Sequence, residues 1–166
     1  MTTDDLLIRR ARALARVPVQ LATTTRSQAL VATIGTQRYG FAIAQVIRVR
    51  AVGRCTPVPN AARSIIGVAK LEGKVMAVFG GRTWRGLPEQ VTKDTPLLIL
   101  GSRETPLALL VDSVVDTLDI PEVVPDLRGS EEPWLRAIVG DVLLVDVDRL
   151  IELVSDHRLL VDRGNR

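Results

Sequence analysis

The chain has 166 residues, 46% of them apolar and 25% charged, which suits a globular domain with a real hydrophobic core and excludes a disordered chain. Its single cysteine, Cys55, excludes an intrachain disulfide and leaves no basis for a cysteine-based metal cluster. Within the net charge of +3, residues 1–54 hold nine arginines (9, 10, 12, 16, 26, 38, 48, 50 and 54) against Asp4 and Asp5, so the first third is basic and the remainder acidic.

At the start of the chain, residues 3–17 read as a short amphipathic helix. Thr3 is a suitable N-cap, Asp4 and Asp5 suit the first turn, and Leu7, Ala11 and Leu14 follow helical spacing. Pro18 ends it, because the residue before a proline is pushed out of the α region. Residues 1–24 are thus a helix and linker, 25–155 a folded domain and 156–166 a polar tail. No apolar run approaches the ~18–20 residues of a membrane-spanning helix. The charged first twelve residues lack the apolar stretch of a secretory signal, so a cytoplasmic protein is expected.

Beyond residue 27 the pattern changes to short β-rich runs divided by turn residues, which predicts an all-β barrel or sandwich. Leu30, Ala32 and Ile34 alternate with Val31 and Thr33 before a turn at Gly35-Thr36. Tyr39, Phe41 and Ile43 alternate next, and a third run over 46–52 separates Ile47 and Val49 from Val46, Arg48 and Arg50. Alternation places Val49 inward. Residues 65–79 form a hairpin around Glu72-Gly73, and 96–111 a second around 101–105. A run over 114–120, a strand pair turning at Gly140-Asp141 and a helix capped by Asp146 complete the domain.

Catalytic chemistry has few carriers. His157 is the sole histidine and lies in the polar tail, so neither a nucleophile–histidine pair nor a zinc site is supported. Gly67 to Lys74 fails the phosphate-loop pattern on spacing and lacks a following Ser or Thr. Asp112, Asp116 and Asp119 lie in a β-branched run, which fits solvated edge charges rather than a metal site. No cofactor or small-molecule substrate is expected. A basic β-barrel that binds nucleic acid is the alternative reading, weakened by few and scattered aromatic residues.

Tyr39-Gly40-Phe41-Ala42-Ile43 followed by Val46-Ile47-Arg48-Val49 resembles the opening of a CheW-like domain. The likeness continues through Thr56-Pro57-Val58-Pro59-Asn60, residues 66–75 and Leu109-Leu110-Val111-Asp112-Ser113-Val114, and closes over residues 143–151. The resemblance implies two intertwined five-stranded SH3-like barrels sharing one core, with short helices at both ends. It also implies a non-enzymatic adaptor of a two-component chemosensory pathway. Its partners are then the regulatory domain of a CheA-type histidine kinase and the cytoplasmic tip of a methyl-accepting chemoreceptor, in arrays at the inner face of the membrane.

By the same resemblance Ile43, Val46, Val49 and Val114 fall at or near the receptor-binding groove. Two departures stand out. The hairpin tip reads Lys70-Leu71-Glu72-Gly73 where the family usually has Asn-Leu-Arg-Gly, and Arg48 stands where it usually has an acidic residue. Both charges are reversed together, which predicts a surface ion pair between Arg48 and Glu72 that bears on partner choice. Gly80-Gly81 replaces an Asp and an apolar residue and predicts a bulge or loose loop. A flagellar pathway and one controlling pili or gene expression remain equally compatible.

Overall fold

The computed structural model describes residues 27–155. The expected helix over 3–17, most of the linker and the tail with His157 lie outside the described residues. Ten strands carry most of the rest: β1 Gln28–Ile34, β2 Gln37–Ala42, β3 Val46–Ala51, β4 Ile65–Leu71, β5 Lys74–Gly80, β6 Pro96–Gly101, β7 Pro106–Leu110, β8 Ser113–Asp119, β9 Leu135–Val139 and β10 Val142–Val145. A helical turn, α1 (Gly81–Trp84), follows β5, and a longer helix, α2 (Val147–Ser155), follows β10. Asp146 caps α2 as expected, its Oδ1 accepting the Arg149 N–H at 3.0 Å.

The strands form two five-stranded sheets, ordered β8-β1-β2-β10-β9 and β3-β6-β7-β5-β4. The orders match position for position. In each sheet a parallel pair, β2 with β10 or β7 with β5, sits inside antiparallel neighbours. In each, the third strand of the local run is followed by a helical segment. Barrel two uses five consecutive strands, β3 to β7. Barrel one is built from β8 to β10 and is completed by β1 and β2 from the start of the domain. That is the intertwining of an all-β, SH3-like pair.

Each sheet is closed by the segment after its outer strand. Thr56, beyond β3, exchanges backbone hydrogen bonds of 2.8 Å in both directions with Val68 of β4. Leu127, beyond β8, donates to the carbonyl of Arg136 in β9 at 2.8 Å.

The expected single core resolves into three clusters. Leu97 and Ile99 of β6 and Ala108 and Leu110 of β7 fill barrel two with Val52, Leu71 and Val78. Ala29 and Val31 of β1 fill barrel one with Ala137, Val142 and Leu144. The alternate residues of those strands, Ala32, Ile34, Leu98, Leu100, Leu107 and Leu109, meet between the barrels with Tyr39, Phe41 and Val147, Leu150 and Leu153 of α2. Strands buried on both faces explain why β1, β6 and β7 are apolar at nearly every position. Each fully buried leucine adds about 1.5–3 kcal/mol relative to exposure.

Gly80-Gly81 is not a loose loop. Gly80 ends β5 and Gly81 opens α1, and both are buried. A Cβ on Gly80 would meet the Glu89 carboxylate and Ile66, and one on Gly81 would meet the Leu110 carbonyl and Ile34. Close approach of neighbouring groups, rather than flexibility, requires the two glycines.

Candidate partner-binding surface

β3 is the outer strand of its sheet and pairs with β6 alone. Its register slips between Val46 and Arg48, a bulge at Ile47 that re-aims the residues after it. Val49 is 44% exposed, contrary to simple alternation, because the whole of Ile47–Ala51 is exposed on this outer strand. Arg48 and Arg50 reach the tip of the β4–β5 hairpin. Arg48 Nη1 lies 3.1 Å from Glu72 Oε1, and Arg50 Nη1 lies 3.8 Å from the same oxygen. The ion pair expected from the two reversed charges is thus formed, and a second arginine shares it.

The tip is a two-residue turn with φ of 51° at Glu72 and 77° at Gly73. Positive φ at both positions matches the twist of paired strands, and it is ordinary for glycine but costly for glutamate. Lys70 and Lys74 flank the tip, both exposed. Val75 lies across the hairpin from Lys70 and is also exposed.

The other expected positions lie elsewhere. Val46 of β3 and Val114 of β8 are half-buried, and both pack against the core between the barrels. Ile43, in the 3-10 turn Ile43–Gln45, opens on a groove of about 650 Å³ beside the start of β1, also lined by Gln28, Arg136 and Asp148. The structure brings Arg48 and Glu72 into contact, with Val49 on the same strand and Lys70 beside the tip. It places Ile43 on a separate groove.

Two clusters at the barrel junction differ from what the sequence led us to expect. Asp112 was expected to be a solvated edge charge. Instead its Oδ1 accepts Arg82 Nε at 2.7 Å, and its Oδ2 accepts Arg82 Nη2 at 3.0 Å and the Gly35 N–H at 2.8 Å. Three aromatics that look scattered in sequence converge. Trp84 and Trp134 have ring centroids 4.9 Å apart, and Tyr39 lies 5.5 and 5.8 Å from them. The Arg85 guanidinium sits over all three rings at 5.0–5.9 Å. Burial pushes the Tyr39 hydroxyl up from its ordinary pKa, against the opposing effect of Arg85. Tyr39, Phe41 and Trp134 are buried, so they offer no platform for stacking bases.

Among the described residues, no group of three or more His, Cys, Asp or Glu side chains is placed to hold a metal ion. No helix among them is long and apolar enough to cross a membrane.

The model of the CheW-like domain matches residues 28–155. A chemotaxis protein CheW of Klebsiella aerogenes is 27% identical over 150 residues, covering 84% of this chain and 89% of that protein. The crystal structure of the scaffolding protein TtCheW from Thermoanaerobacter tengcongensis superposes with a TM-score of 0.62 at 20% identity. That alignment covers 74% of this chain and 86% of the other, a likeness of fold.

Proposed function

The chain belongs to the CheW-like domain family, and from that premise we propose that it is a non-enzymatic adaptor coupling a chemoreceptor to a CheA-type histidine kinase. One surface meets the regulatory domain of the kinase and another the cytoplasmic tip of the receptor. The protein acts in the cytoplasm, recruited to receptor arrays at the inner face of the membrane. Ile43, Val46, Arg48, Val49, Lys70, Glu72 and Val114 are the positions assigned to partner contact.

The observation that carries this reading is β3, where five of six residues are exposed and Ile47 and Val49 stand among arginines. Exposed apolar side chains ringed by charge suit a protein partner. Buried aromatics leave little support for the nucleic-acid reading.

A pull-down from the native cytoplasm with the full chain, repeated with Glu72→Arg, tests the proposal. Recovery of a CheA-type kinase together with a receptor is the expected result, with receptor recovery lost or redirected in the variant. The exposed Arg48–Glu72 pair contributes only ~0.2–1 kcal/mol, so the melting temperature moves little. Recovery of nucleic acid alone, released by moderate salt, overturns the adaptor reading. A large loss of stability with unchanged partner recovery removes Glu72 from the binding surface.

A further inference from the structure

Charge at the β4–β5 hairpin tip is unbalanced. Arg48 and Arg50 converge there on Glu72, the carboxylate that pairs with both among the described residues, and the exposed Lys70 and Lys74 flank the turn on opposite faces of the hairpin. A single oxygen, Glu72 Oε1, serves two guanidiniums, the nearer at 3.1 Å and the farther at 3.8 Å. Arg50 is held in this orientation by its own Nε, which donates to the Ala51 carbonyl at 3.1 Å. Guanidinium groups are forked donors matched to carboxylates, and here two of them share one oxygen at unequal distances.

We propose that this patch receives an acidic segment of a partner protein and that Glu72 is an internal stand-in for the partner's carboxylate. The inference rests on the adaptor reading and names the chemistry of one of its partners. Charge complementarity sets the sign of the partner, because two arginines share one carboxylate and a lysine flanks the turn on either side. Ile47 and Val49, exposed on β3 next to Arg48 and Arg50, give the patch apolar members that a protein side chain can cover. Phosphates would leave those side chains uncovered, which favours an acidic peptide over a nucleic acid. Glu72 is held in a left-handed backbone conformation, so the residue that supplies the stand-in charge is also the one under strain.

The test is a titration of the full chain against a short fluorescent peptide alternating glutamate with valine, with a lysine–valine peptide and a single-stranded oligonucleotide as comparisons. The glutamate peptide binds, weakens as salt rises, and outcompetes the oligonucleotide. Glu72→Gln removes the competing carboxylate and tightens binding about fivefold, while Arg50→Gln weakens it by a similar factor. Circular dichroism spectra matching the parent keep both variants interpretable. The proposal is overturned if Glu72→Gln leaves affinity unchanged or lowers it. It is equally overturned if the oligonucleotide wins with the same dependence on Arg50. Concentration-dependent dimers that block the peptide would assign the patch to a second copy instead. Kinase recovery in the pull-down is independent of these outcomes, so the patch and the adaptor reading can fail separately.

Discussion

Asp112 follows β7 in barrel two, yet its hydrogen bonds reach both barrels. It holds Arg82 of α1 through both oxygens and accepts the N–H of Gly35 in the β1–β2 turn, while its own N–H donates to the Thr33 carbonyl at 2.8 Å. Burial works to raise its pKa, but the hydrogen bonds from Arg82 and Gly35 and the charge of Arg82 outweigh it. The carboxyl is therefore held below its ordinary value of 3.8. With the folded pKa depressed, this stabilisation is complete above the unfolded value and is lost as pH falls through the folded one. Asp112→Asn keeps the shape and loses the charge. Its urea midpoint is expected to lie below the parent's at pH 7 and to converge with it once pH falls below the folded pKa of Asp112. A gap that stays constant across that range would remove the ion pair as the cause. Sequence marks Asp112 through its apolar-Val-Asp context but gives no hint of Arg82, thirty residues away, because nothing local links them. Arg48 and Glu72 were legible as a pair for the opposite reason, since two departures from one family pattern compensate each other.

Hairpins are the elements that a sequence shows best, because turn and strands lie in one short window. The Glu72-Gly73 and Gly140-Asp141 turns and the β6–β7 pair fall where turn chemistry puts them. The parallel pairings of β2 with β10 and β5 with β7 join distant segments and leave no local mark. The bulge at Ile47 is likewise silent in sequence, and so is the outer position of β3, which leaves Val49 exposed. The bridge that closes barrel two depends on another silent feature, the absence of a side chain at Gly67. A Cβ there would meet the Thr56 carbonyl and lie 2.9 Å from Cys55 Sγ, directly on the residue pair that makes the bridge. Backbone cannot retreat as a flexible side chain can, so Gly67→Ala is expected to cost about 1–3 kcal/mol. Amide exchange gives the decisive readout. The Thr56 and Val68 N–H groups should lose protection more than those of β6 and β7, and uniform loss would place the damage in the core instead.

Barrel one cannot form from a continuous stretch of chain. β1 and β2 must wait until all of barrel two and then β8 to β10 have been added, and the core between the barrels takes residues from both. Contacts so distant in sequence predict slow folding and a single cooperative unit. The chain supplies its own reporter. Both of its tryptophans, Trp84 and Trp134, sit at the junction, so their emission reads the interface while far-ultraviolet circular dichroism reads the strands of both barrels. Leu100 of β6 is fully buried in the shared core. Leu100→Ala leaves a cavity there and is expected to cost about 2–5 kcal/mol. If the barrels are one unit, both signals shift to lower denaturant together and remain superimposable. If emission is lost first and a plateau of circular dichroism persists, the barrels fold independently and the shared core is a docking contact. The distinction bears on function as well. In a single unit, binding energy gained on β3 of barrel two stabilises the strands of barrel one, so a partner on one barrel alters the stability of the surface presented by the other.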